Sequence, residues 1–125
     1  MRNELLTGLL EKVSRTFYRT LRVLPASVRT QIGLAYLLAR TSDTIADTQL
    51  VPIEQRLDAL QVLRQRILGL HERRIEFPAL IVEQSSSAER ALLEQCEASL
   101  GLLRTLSPGD LELVRHVLEI IILAS

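Results

Sequence analysis

Cysteine is almost missing from this chain: among 125 residues Cys96 stands alone. No intrachain disulfide can form, and no cysteine cluster can hold zinc. A lone thiol fits a reducing compartment. Tryptophan is absent and aromatic residues make up only 3%, which speaks against a sandwich or barrel, because strands draw on aromatic and β-branched side chains. Net charge is missing as well. Fifteen basic and fifteen acidic residues cancel, so broad electrostatic binding to nucleic acid or to an anionic membrane surface has no driving force. Long apolar runs are also lacking. "IIILA" at 120–124 is far too short to cross a bilayer. "MRNELLTGLLEKV" carries Glu4, Glu11 and Lys12 where a signal peptide needs an uninterrupted apolar core. The expectation is a cytoplasmic chain with no transmembrane segment, its contact with a membrane at most peripheral.

What is present reads as helix throughout. Hydrophobic residues reach 47%, led by leucine, in numbers that suit one domain with one core. Leu5, Leu6, Leu9, Leu10, Val13, Phe17, Leu21 and Leu24 recur at helical spacing up to Pro25, with Ser14 a point where the segment can break and re-cap. A second helix is predicted from about Val28 to Asp47, with Ser27 as a candidate N-cap. A third follows Pro52 through Leu57, Leu60, Val62, Leu63, Ile67 and Leu68 and decays at Gly69. After an irregular stretch broken by Pro78, Ser86 and Glu89 read as a capping box opening a fourth helix through Leu92, Cys96, Leu100 and Leu103. "SPGD" at 107–110 opens a fifth, with Ser107 as cap. The final turns, "LEIIILAS", are apolar on nearly all sides, as in a helix buried on several faces. The pattern predicts an all-α bundle of about five helices whose core still lacks a cover and which can self-associate through that apolar face.

One stripe does not belong to a core. Tyr36, Arg40, Asp43 and Asp47 in "AYLLARTSDTIADT" stand at i, i+4, i+7 and i+11. At about 100° per residue their side chains fall within roughly 60° of one another. The simplest account is a solvated face in which Arg40 pairs with an aspartate. Two penalties oppose it. Like charges at i, i+4 cost roughly 0.2–0.5 kcal/mol. Negative charge near a helix C-terminus costs roughly another 0.3–1 kcal/mol. Two carboxylates one turn apart offer hard oxygen ligands of the kind Mg²⁺ takes while keeping water or substrate phosphate in its other positions. Arg40 is suited to grip a phosphate oxygen. Upstream, Arg15, Arg19 and Arg22 share a second helical face and add a basic stripe. His71 and His116 lack metal-ligand spacing and read as surface or capping residues. Cys96 reads as a buried small hydrophobe. Gly33, a poor helix former, reads as a site of close helix packing.

"VSRTFYRTLRVLP" followed by "IGLAYLLARTSDTIADT" resembles the N-terminal half of the squalene and phytoene synthases, the head-to-head trans-isoprenyl diphosphate synthases. Two elements carry the resemblance: Ser14-Arg15-Thr16-Phe17, and Tyr36 with Arg40, Asp43 and Asp47. The "LARTSDTIADT" form is more similar to the squalene synthase branch. The resemblance implies that Asp43 and Asp47 bind Mg²⁺ bridging the diphosphates of farnesyl diphosphate. It implies phosphate contacts from Arg15 and Arg40, with Ser14 and Phe17 shaping the same end and Tyr36 lining the cavity near the reacting carbons. The implied product is presqualene diphosphate, converted with NADPH to squalene.

Family members carry a second aspartate-rich motif on a later helix, and none follows Asp47: Asp58 and Asp110 stand alone. The expectation is therefore an N-terminal portion of such a synthase domain over residues 1–125, inactive by itself. The rival reading is a non-catalytic helical module that pairs with a partner protein. A head-to-tail prenyltransferase or terpene cyclase fits less well, since those use a DDxxD-type element.

Overall fold

A computed structural model describes residues 4–72 and 74–123. Among them the order is α1 (Glu4–Val13), α2 (Arg15–Arg22), α3 (Ala26–Asp47), α4 (Ile53–Ile67), α5 (Pro78–Val82), α6 (Ser87–Glu94), α7 (Cys96–Leu102), a 3₁₀ turn (Leu103–Thr105) and α8 (Pro108–Leu123). No strand occurs among the described residues. The fold is all-α, with more breaks than periodicity alone predicts. Ser14 does split the first segment: its backbone is extended, and its Oγ accepts the Phe17 amide at 3.1 Å. The fourth predicted helix divides at Gln95, whose φ of −99° and ψ of 13° leave the helical range although its carbonyl still accepts the Ser99 amide at 2.9 Å. The irregular stretch holds the single short turn α5, started by Pro78.

α3 is the central element, packing against α1, α2, α4, α6, α7 and α8. Its inner face carries the fully buried Leu34, Leu37, Leu38 and Ile45. Gly33 lets the neighbours approach: a Cβ there would lie 2.9 Å from a methyl of Leu10 and 3.2 Å from one of Leu21. The close-packing role expected for it holds. The C-terminal half of the buried face is polar but satisfied. Thr41 donates to the Leu37 carbonyl at 2.8 Å, Ser42 to Ala39 at 2.7 Å and Thr48 to Thr44 at 2.6 Å.

The chain's terminations follow known cap chemistry. Gly69 has φ +76° just past α4; its amide reaches the Arg66 carbonyl, and that of Leu70 reaches Gln65, a Schellman closure. Ser107 accepts the Asp110 amide at 3.3 Å and caps α8. Ser86 caps α6, accepting the Glu89 amide at 3.3 Å, yet the Glu89 carboxylate crosses to α3 and accepts from Thr44 at 3.0 Å. The predicted capping box is thus half formed, its second half diverted to a tertiary contact.

Some apolar side chains stay outside. Leu57, which the pattern assigns to the core face of α4, is 57% exposed, and Leu113, Val117 and Ile120 form an exposed stripe on α8 at i, i+4 and i+7. The side chain of Leu5 and all of Ala124, both counted in the apolar pattern above, lie outside the described residues. No helix among the described residues is long and apolar enough to cross a membrane.

Charge locks the lower half of the bundle. Arg66 on α4 grips Glu97 on α7 through two nitrogens, and the same carboxylate accepts the Ile75 amide at 2.6 Å. Burial pushes the Glu97 carboxyl up, but the hydrogen bonds from Arg66 and Ile75 and the charges of Arg66 and Arg74 outweigh it, so its pKa falls below the ordinary 4.5. Beside it, burial and Glu97 raise the Cys96 thiol to about 12 against the opposing pull of Arg66. Cys96 is the inert buried hydrophobe expected of it. Because the Glu97 pKa is depressed on folding, its contribution is complete above pH 4.5 and lost as pH falls through the folded-state value. Glu97→Gln is expected to lower stability by about 1–3 kcal/mol at neutral pH. Urea titrations of both proteins should converge as the pH drops below the ordinary carboxyl range.

Candidate diphosphate site on α3

Tyr36, Arg40, Asp43 and Asp47 all lie on the unbroken helix α3, opposite its leucine-lined face. Asp43 and Asp47 are exposed, and Tyr36 and Arg40 half-buried. The ion pair that a plain solvated face would use is not made. The salt bridges among the described residues join Arg64 to Glu119, Arg66 to Glu97 and Arg104 to Glu72, and neither Asp43 nor Asp47 takes part. Arg40 holds its Nε buried without a hydrogen-bond partner. A native structure rarely leaves such a donor unspent.

α2 is brought onto this stripe by an aromatic stack. The rings of Phe17 and Tyr36 lie parallel, with centroids 4.0 Å apart and planes 10° from each other. Ser14 fixes the start of α2 through its cap on the Phe17 amide, so the Ser14–Phe17 element and Tyr36 form one connected unit. Arg15 is exposed at the head of α2 and makes no ion pair with Asp43 or Asp47. Arg22, from the same basic stripe, sits 6.0 Å from the Tyr18 ring centroid in a cation–π contact.

Three contacts that carry no sequence signature hold these pieces in place. Arg29 donates to the Leu24 carbonyl at 2.7 Å and the Arg22 carbonyl at 2.9 Å, closing the tight turn between α2 and α3. Arg56 donates to Ala46 at 2.7 Å and to Val51 at 2.9 Å, satisfying the end of α3 beside Asp47. Gln84 donates to Thr48 at 2.8 Å. Asp47 also lines a polar cavity of about 470 Å³ with Thr44, Thr48, Gln84 and Glu89. Of the other residues weighed from the sequence, Asp110 accepts from Gln31 at 2.8 Å. Neither histidine belongs to a metal-ligating cluster, and no group of three or more His, Cys, Asp or Glu able to hold a metal occurs among the described residues.

With this geometry in view, comparison with known proteins is decisive at one level. The family model for squalene/phytoene synthase matches residues 10–115. The chain is a member of the squalene/phytoene synthase family. It is 30% identical over 73 residues to the bifunctional lycopene cyclase/phytoene synthase of Blakeslea trispora. That alignment covers 58% of this chain and 12% of the fungal protein, so the chain spans a small part of that relative. No solved structure matches. Members of this family are prenyltransferases of isoprenoid biosynthesis acting on prenyl diphosphates.

The stack and the cap are separable by mutation. Ser14→Ala should cost about 1 kcal/mol through loss of the α2 cap. A double-mutant cycle of Phe17→Leu with Tyr36→Leu should return a coupling of about 0.5–1.5 kcal/mol. Chemical denaturation of the four proteins reads both, and a coupling near zero would show that the rings do not support each other.

Proposed function

We propose that this chain is the N-terminal part of an enzyme that condenses two farnesyl diphosphates head to head, through presqualene diphosphate toward squalene. The observation that carries the reading is a column of charge on the open face of α3, two carboxylates and a guanidinium that form no ion pair among the described residues, in a member of a prenyl diphosphate family.

The donor set suits Mg²⁺ of one kind. Two exposed carboxylates one turn apart are too few for an all-protein cage, and they match a metal that fills its other positions with water and substrate phosphate. Asp43 and Asp47 are the residues that would hold it. When bound, the metal neutralises the charge that develops on diphosphate as it departs. Arg40 and Arg15 donate hydrogen bonds to the phosphate oxygens as the allylic C–O bond breaks and its electron pair leaves with the diphosphate. Ser14 sets the start of α2 and Phe17 backs Tyr36, which faces the allylic cation that the second prenyl chain then attacks. The extended enzyme would have to cover this open face with apolar side chains to keep water from that cation. Reduction to squalene draws on NADPH.

The name of the Blakeslea relative supports a second product, phytoene. The exposed stripe of Leu113, Val117 and Ile120 supports another role, a non-catalytic module that self-associates or pairs with a partner protein. Product analysis after incubating a chain extended through the rest of the synthase domain with Mg²⁺, NADPH and, in parallel, labelled farnesyl diphosphate (C15) or its C20 homologue separates the three. Squalene is the expected product; phytoene-type or no product would favour the others.

Charge reversal of logic gives a sharper check. Asp43→Asn should lower turnover of the extended enzyme by about 10²-fold or more. In the 125-residue chain the same change should raise stability by about 0.3–1 kcal/mol, since it relieves like-charge repulsion and an unfavourable helix dipole. Unchanged turnover would defeat the metal assignment. A loss of stability would mean that Asp43 holds the fold.

A further inference from the structure

A second concavity, of about 520 Å³, lies between α4 and the segment leading into α5. It contains none of the residues of the diphosphate stripe. Val51, Ala59, Val62, Ile75, Phe77 and Leu80 give it an apolar floor. Among the described residues its rim carries Glu54, Asp58 and Glu76 together with Arg74, all four exposed. None of the three acids forms an ion pair among the described residues. Glu54 and Asp58 stand one turn apart on α4, a like-charge spacing in which only Glu54, in the first turn, is favoured by the helix dipole.

The far wall, Arg74–Phe77, is not helical, and its side chains alternate as those of a strand do: Arg74 and Glu76 are exposed, Ile75 and Phe77 buried. In an extended chain the amide and carbonyl of successive residues face opposite edges. The Ile75 amide is taken by Glu97, so the edge belonging to Arg74 and Glu76 is turned away from that clamp. Neither residue makes a backbone–backbone hydrogen bond among the described residues. The Glu97 and Arg66 clamp thus anchors this non-helical segment from one side only, at Ile75.

We infer that this groove takes an extended peptide segment that alternates apolar and basic residues. The segment pairs its backbone with the open edge at Arg74 and Glu76, sets its apolar side chains on the Ile75–Phe77 floor, and brings its basic side chains to Glu54, Asp58 and Glu76. Strand addition supplies affinity through main-chain hydrogen bonds, and pockets for alternate side chains supply selectivity. The acidic rim sets the sign of the partner's charge.

A fluorescent peptide alternating valine and lysine, titrated into the 125-residue chain and followed by anisotropy, tests this. Three comparisons accompany it: the peptide with glutamate in place of lysine, the peptide N-methylated at alternate amides, and the doubly substituted protein Glu54→Gln/Asp58→Asn. Binding of the lysine peptide is expected, weaker by roughly fivefold for the doubly substituted protein and by about tenfold on N-methylation of the pairing edge. Both substituted side chains are exposed, and circular dichroism checks that the variant keeps its helices. Absence of binding, equal binding of the glutamate peptide, or indifference to both N-methylation registers would overturn the inference.

Discussion

Burial of one side of α3 is the constraint on which the rest of this structure depends. Six of the other helices lean on a face built from Leu34, Leu37, Leu38 and Ile45, and burying each such side chain contributes roughly 1.5–3 kcal/mol. That face tolerates only hydroxyls that find an acceptor, such as Thr41 and Ser42, which bond back to the helix, so the charged residues fall on the opposite face. The stripe from Tyr36 to Asp47 is therefore held by the packing on the far side of the helix, to which Tyr36 adds a contact of its own, its stack on Phe17. A group that must meet a charged ligand in a fixed geometry is best carried in this way, on an element anchored from behind.

Much of this was legible from residue spacing. The fold class, the break at Ser14, the closures at Gly69 and Ser107, the close packing at Gly33 and the burial of Cys96 all follow from local rules of periodicity, capping and size. Local rules failed where a tertiary partner overrode them. Glu89 was placed in a capping box and instead reaches Thr44, because a buried threonine hydroxyl needs an acceptor as much as a helix start does. Leu57 has the spacing of a core residue and lies outside, because the face it occupies on α4 meets no neighbour. The extra break at Gln95 is a matter of backbone geometry with no strong residue signal, whereas Pro78 marks the start of α5.

Of the candidate site, the column on α3 was visible and its surroundings were not. Nothing in the spacing of Arg29 or Arg56 says that each spends its guanidinium on carbonyls at a helix end. Both read as solvated charges. Nor does a sequence of few aromatics advertise that two of them stack to tie α2 to α3. Such contacts join residues through space, and only the arrangement of helices makes them available.

The arginines with known partners also sharpen the meaning of those without. Arg64 and Arg66 meet carboxylates, and Arg29, Arg56 and Arg115 meet backbone carbonyls. Arg64 shares a buried, unbonded Nε with Arg40 but also holds Glu119, whereas Arg40 and the aspartates one and two turns beyond it form no ion pair among the described residues. Leaving a buried donor unsatisfied costs about 1–3 kcal/mol, and the aspartate pair adds its own repulsion. Selection for stability alone would remove both with a lysine at one acid and a leucine at the arginine. Their presence together, on the helix that the whole bundle braces, is the feature on which the proposal of a diphosphate and Mg²⁺ site rests.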